Sequence, residues 1–201
     1  MDDAHRIEAL LSYWCGELDA RGMCSAEHQK LWFNPPDGTD QYIRQRFGEL
    51  VEQAVRGALY SWADTPQGLM ALVILLDQFT RNVYRGTREA FSGDERALAL
   101  ARQAVSQGMD STMPTVHRIF LYMPFEHAED LAAQDEGLAC FARLMDEAPE
   151  SQRERIGSFQ RYAVAHREVI AQFGRFPHRN RLLGRESTTE ELAHLDKHGG
   201  F

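Results

Sequence analysis

Arginine makes up 20 of the 22 basic residues in this sequence, and Lys30 and Lys197 are the two lysines. Seven of those arginines fall in two short stretches that contain no acid. Arg81, Arg85 and Arg88 occupy positions 81–88, and Arg175, Arg179, Arg181 and Arg185 occupy 175–185. A guanidinium presents a planar fork that grips a carboxylate or phosphate at two points, whereas lysine is a point charge. The chemistry these islands suggest is therefore the holding of an anion. Asp77, Arg81, Tyr84, Arg85 and Arg88 follow at i, i+4, i+7, i+8 and i+11, one face of a helix for as long as the helix lasts. The candidate ligand-binding set is Asp77, Arg81, Asn82, Arg85, Arg175, His178, Arg179 and Asn180. The competing reading of the same residues is internal: ion pairs at i,i+4 and charges at helix ends.

Acid–base chemistry has its own candidates. The segment Pro124-Phe125-Glu126-His127-Ala128-Glu129-Asp130 places Glu126, Glu129 and Asp130 at i, i+3 and i+4 of an expected helix start. His127 is beside them. His166 lies on the stripe Phe159, Tyr162, His166, Val169, Ile170, Phe173 and should face the core. His127, His166, Glu126 and Glu129 are the candidate catalytic residues, because a histidine beside a carboxylate can move a proton near neutral pH. A metal site built from Glu126, His127, Glu129 and His166 is conceivable, but no H-E-x-x-H or paired E-x-x-H supports it, so no metal site is expected and no cofactor is implied. The sequence also lacks G-x-G-x-x-G, a Walker loop and G-x-S-x-G, which removes the dinucleotide-fold, P-loop and serine-hydrolase readings.

The elements that must position these groups read as helices almost throughout. Apolar residues recur at helical spacing in Ala4–Leu18, Ala26–Phe33 and Gln41–Trp62, and the Asn34-Pro35-Pro36-Asp37-Gly38 run is a strong breaker. Thr65-Pro66 reads as an N-cap followed by proline at the first helical position. The helix from Gln67 to about Asn82 is apolar on all sides through Leu76 and should be the buried central one. Further helices are expected from Ser92 or Asp94 to Gln107, Pro114 to Tyr122, Pro124 to Glu147 and Ser151 to Phe173. Gly174 is the expected stop of the last of these, and Thr188 with Glu191 has capping-box spacing for a final helix. Trp14, Trp32, Phe33 and Trp62 sit on the stripes as core candidates. The expectation is an all-α chain of about nine helices forming a single domain over 1–201. Arg81-Asn82-Val83-Tyr84-Arg85-Gly86 and Arg179-Asn180-Arg181-Leu182-Leu183-Gly184 both read R-N-x-x-x-G, a faint echo of stacked helical hairpins.

The chain has 201 residues, of which 43% are hydrophobic and 26% charged, a globular balance with enough length for a real core. Its net charge of −8 hides a segregation: outside the two islands, 15 basic residues face 30 acidic ones. An acidic body argues against a nucleic-acid partner. Three cysteines without metal or redox spacing suggest a reducing compartment. The start, MDDAHRIEALL, lacks the basic and apolar regions of a secretory signal, and the longest apolar run, Leu69–Leu76, is far too short for a membrane span. A cytoplasmic protein with no membrane partner is expected.

The blocks Leu75-Leu76-Asp77-Gln78-Phe79-Thr80-Arg81-Asn82 with Tyr84-Arg85-Gly86-Thr87, Phe120-Leu121-Tyr122-Met123-Pro124-Phe125-Glu126-His127-Ala128-Glu129, and Arg175-Phe176-Pro177-His178-Arg179-Asn180 with Leu183-Gly184-Arg185 resemble, in that order, the DUF924 family of bacterial proteins of unknown function. Tyr13-Trp14 and Trp32-Phe33 fit it more loosely. Thr80, Cys15 and Ala128 depart from it, where proline, an aromatic and serine are usual. The resemblance implies a TPR-like superhelix and no activity. Function is therefore read from the residues: a TPR-like protein binding an anionic small molecule or peptide. The alternatives are an enzyme of hydrolase or transferase type using the histidine–glutamate groups, and a protein-interaction scaffold whose charged motifs are structural.

Overall fold

A computed structural model describes residues 2–200. Among them every regular element is helical, and the sole extended pairing is an isolated antiparallel bridge between Leu18 and Cys24. The all-α expectation holds. The α-helical segments are more numerous than nine because short pieces follow bends that spacing alone does not mark.

The described chain divides into two compact units, one of residues 2–85 with 89–124 and one of 86–88 with 125–200. In the first, α1 (Asp3–Cys15) starts at Asp2, whose carboxylate accepts the His5 N–H, and α2 (Ala26–Phe33) starts in the same way at Ser25. Helix α3 (Thr39–Arg56) stops earlier than the apolar stripe to Trp62 suggests. Gly57 turns left-handed at φ 82°, its N–H donates to the Ala54 carbonyl, and the Ala58 N–H donates to the Gln53 carbonyl. This is a Schellman closure, after which a 3₁₀ turn over Tyr60–Asp64 leads to the next cap.

Thr65 is that cap, accepting the Gly68 N–H, with Pro66 at the first helical position as expected. From there one continuous rod runs through α4 (Pro66–Val73), a π-helical turn (Ile74–Phe79) and α5 (Thr80–Val83). Leu69 through Leu76 are all buried, so this rod is the core of the first unit. It packs against α1, α3 and α6 (Asp94–Ser106). Gly93 is required at the start of α6: a Cβ there would collide with the Leu76 carbonyl. The N-cap position of this helix falls to Gly93, between Ser92 and Asp94. Trp14 and Trp62 are buried as expected, whereas Phe33 is 58% exposed at the end of α2.

Helix α7 (Thr115–Glu126) contains Pro124 within its last turn. The sequence reading began a new segment at this proline. The helix passes through it because proline removes one i→i−4 bond and the helix ends two residues later. The next helix, α8 (Leu131–Glu147), is begun by Asp130, which accepts the Ala132 and Ala133 N–H groups. Glu126 therefore closes one helix and Asp130 caps the next, with Glu129 in the turn between, rather than all three sharing a first turn.

In the second unit α8 folds back on α9 (Glu150–Phe173) across the two-residue link Ala148-Pro149, and these two helices form its principal contact. Gly137 on α8 permits a close approach, since a Cβ there would lie 2.7 Å from the Phe125 Cβ. Gly174 ends α9 in the left-handed region at φ 69°. A 3₁₀ turn (Pro177–Arg179) then leads to α10 (Asn180–Leu183), and α11 (Thr189–His198) opens with the expected Thr188–Glu191 capping box. No helix among the described residues is long and apolar enough to cross a membrane.

Candidate functional site

Both units gather polar groups from the motifs read in the sequence. In the first, the π-helical turn carries Asp77 inward to zero exposure, where its carboxylate accepts from Gln78 Nε2 at 2.6 Å. Arg81, one turn on, donates to the Asp77 carbonyl and closes a two-point pair with Asp94: Nη1–Oδ1 2.9 Å and Nη2–Oδ2 3.2 Å. The Gly93 approach is what sets Asp94 there. The helix ends at Val83, so Arg85 leaves the shared face proposed for it. Instead Asn82 and Arg85 meet on Asp40, in the first turn of α3. Asn82 Nδ2 donates to Oδ1 at 2.8 Å, Arg85 Nη2 to the same oxygen at 2.9 Å, and Arg85 Nε to Oδ2. These bonds, Arg85 foremost, hold the Asp40 carboxyl below its ordinary range.

In the second unit Arg175 grips Glu191 at two points, Nε–Oε1 2.6 Å and Nη2–Oε2 2.9 Å. Asn180 Nδ2 and the Thr188 N–H complete the shell of that carboxylate. Glu191 is 2% exposed, and Arg175 above all lowers its pKa to about 2. Arg185 grips Glu129 in the same manner, at 2.6 and 2.8 Å, while Glu129 also accepts the Phe176 N–H. Burial pushes the Glu129 carboxyl up, and Arg185 with the Phe176 amide more than reverses it. The forks of Arg81, Arg85, Arg175 and Arg185 are thus occupied by carboxylates of this chain.

A third group is of another kind. Glu126 at the end of α7, His127 one residue on and His166 in α9 each bring one ligand-type atom within 4.8 Å of the others. Glu126 and His166 are buried and His127 is half-buried. His166 Nδ1 lies 2.8 Å from the Tyr162 carbonyl and 3.2 Å from Glu126 Oε1. Both neighbours of Nδ1 are acceptors, so Nδ1 carries the hydrogen and the neutral ring keeps its lone pair on Nε2. Burial, reinforced by the charges of His127, Arg179 and His178, pushes the His166 pKa down to about 3.

The turn that carries Glu126 and His127 is pinned at three successive carbonyls. Buried Gln134 donates Nε2 to the Glu126 and Ala128 carbonyls, and Arg179 Nη2 donates to the His127 carbonyl at 3.0 Å. The Arg179 guanidinium lies 4.5 Å over the Phe176 ring, which in turn contacts His166 and His178. Of the catalytic candidates, Glu126, His127 and His166 converge, and Glu129 is engaged by Arg185. Of the ligand-binding candidates, Arg179 and His178 border this cluster.

Sequence reading missed Asp40, Asp94 and Glu191 as the partners of the islands, and Gln134 as the clamp. The first three sit in first turns of helices, where an acid already has a local reason to be. Nothing in their spacing names a distant arginine.

A family model described as bacterial protein of unknown function (DUF924) matches residues 10–199. No curated protein matches the chain. Among solved structures, the chain is similar to a protein of unknown function from Agrobacterium tumefaciens, at 32% identity over 98% of this chain and 99% of that one, with a TM-score of 0.78.

Proposed function

The chain belongs to the DUF924 family, bacterial proteins of unknown function, and from its geometry we propose that it is an enzyme of hydrolase or transferase type acting on a small anionic molecule at Glu126, His127 and His166. The observation that carries this reading is their convergence within 4.8 Å in the second unit, with Glu126 and His127 on a turn whose three carbonyls are clamped by Gln134 and Arg179. Catalytic groups need such preorganisation, because a site held loosely by about 1 Å loses most of its rate. Arg179, beside the cluster, supplies the positive charge that would orient a phosphate or carboxylate. Arg81, Arg85, Arg175 and Arg185 hold internal carboxylates, and Arg179 is the island arginine that borders the cluster.

The test is a screen of phosphate- and carboxylate-bearing substrates for hydrolysis and group transfer, with His166→Gln and Glu126→Gln as paired variants. Turnover by the native chain that both variants lose, at melting temperatures within a few degrees, is the expected result. Absence of turnover with every class of substrate removes the enzyme reading. Binding of an anionic ligand without turnover, lost in Arg179→Ala, would then favour a binding protein, for which the placement of Arg179 over Phe176 speaks. Two further parts of the reading have support: the α8–α9 hairpin fits a TPR-like stack, and three buried cysteines outside any disulfide, Cys15, Cys24 and Cys140, fit a reducing cytoplasm.

A further inference from the structure

Resting on that reading of the same cluster, we propose that Glu126, His127 and His166 bind one divalent transition metal of the zinc class, with a coordination position left open to water or an anion. Two histidines and one glutamate are a donor set that zinc accepts in catalytic sites, where three protein ligands leave the fourth place free. Nitrogen–oxygen sets of this kind suit zinc, whereas calcium and magnesium favour oxygen alone.

Tetrahedral zinc with bonds near 2.0–2.1 Å needs neighbouring ligand atoms about 3.3 Å apart. The three atoms lie within 4.8 Å of one another, so modest side-chain rotation closes the shell. His166 is already prepared for it. A metal-ligating histidine donates its other N–H to a carbonyl or carboxylate, and the Nδ1–H of His166 meets the Tyr162 carbonyl at 2.8 Å, leaving the lone pair on Nε2. The Glu126–His127 turn has the matching outer support, with Gln134 on the flanking carbonyls and Arg179 on the central one. Half-buried His127 gives the ion a way in.

Arg179 opposes a bare cation, and this shapes the ligand preference. Arg179 adds positive charge beside that of the metal, so the open position should favour a phosphate or carboxylate oxygen over neutral water. That preference matches a small anionic substrate and gives the metal a Lewis-acid role towards it. Motif spacing gave no expectation of such a site, since the three donors come from the end of one helix, the turn after it and the middle of another.

The experiment uses the full chain, stripped with a chelator and titrated calorimetrically with zinc chloride alone. A parallel sample is loaded with cobalt(II) and its visible spectrum recorded. One metal per chain, a tetrahedral cobalt spectrum, and affinity weakened by about 100-fold in His127→Gln and His166→Gln are expected, the upper end of what losing even an outer-shell partner costs. His127→Gln is the milder change for folding, and circular dichroism melts check both. His194 and His198 on α11, with rings 4.9 Å apart, are the rival chelating pair; a double His194→Gln/His198→Gln variant should bind zinc like the native chain. Stoichiometry well below one, or zinc affinity unchanged in folded His127→Gln and His166→Gln, overturns the proposal. Turnover by the metal-free chain that zinc does not raise overturns the Lewis-acid role of the metal while sparing the enzyme reading. Tight specific zinc with no turnover does the reverse.

Discussion

The Glu129–Arg185 pair allows the structural share of the arginine islands to be measured by a double-mutant cycle. Two charge-assisted bonds of 2.6 and 2.8 Å join the groups, and each side chain keeps 24% of its surface in water. Hydrogen bonds to charged groups contribute about 1.5–3 kcal/mol each when buried, and exposed pairs contribute less than about 1 kcal/mol. A quarter-exposed, two-point pair belongs between these limits, and a coupling energy of about 2 kcal/mol follows, roughly a 30-fold change in the folding equilibrium. Arg185→Ala alone should cost more, about 3 kcal/mol, because Arg185 also donates to Asn180 Oδ1 and to the Phe176 carbonyl. The assay is urea unfolding of the native chain, Glu129→Ala, Arg185→Ala and the double variant, at moderate and high salt. The exposed pair Arg167–Asp135 is an internal control and should show no measurable coupling. A Glu129–Arg185 coupling below about 0.5 kcal/mol would refute the view that these arginines are committed to internal carboxylates.

Acid should destabilise the second unit in a defined window: Glu191 has its pKa lowered to about 2 by Arg175, so its contribution is complete above the ordinary glutamate pKa and is lost as pH falls towards 2. In Glu191→Gln that part of the pH dependence should disappear from unfolding curves recorded between pH 5 and about 2. Gly137→Ala should destabilise by about 2 kcal/mol, because the new Cβ and that of Phe125, at 2.7 Å, are both fixed by backbone. Gly48→Ala on α3, where the nearest atom is Arg44 Cγ at 3.9 Å, should instead stabilise by about 0.5–1 kcal/mol, and paired thermal melts read the opposite signs. Thr65→Ala should cost about 1 kcal/mol by removing the bond to the Gly68 N–H, measurable in the same melts.

Local rules were enough for much of the architecture. Thr65-Pro66, Gly174 and the Thr188–Glu191 box each act through atoms within a few residues, so type and spacing specify them. The all-apolar run Leu69–Leu76 marked the buried rod, and the stripe through Phe159, Tyr162 and His166 put His166 inside. Local rules misjudged Pro124, whose missing N–H matters little so near a helix end, and Phe33, whose side of α2 the structure leaves largely in water. They also gave no sign of the π-helical turn that inserts Asp77.

The peculiar use of arginine was the most visible feature of the sequence, and it suggested that anions are held at two motifs. Which anions they are was decided by tertiary structure. Asp40 is 45 residues from Arg85, Glu129 is 56 from Arg185, and Asp94 reaches Arg81 because Gly93 admits a close backbone approach. The convergence of Glu126, His127 and His166 likewise needs α9 to return beside the end of α7. Sequence fixes what lies within a few residues, since backbone bonds and helical period act over that range. The partners of a charge or a ligand atom are chosen by packing, which joins residues that the chain keeps far apart.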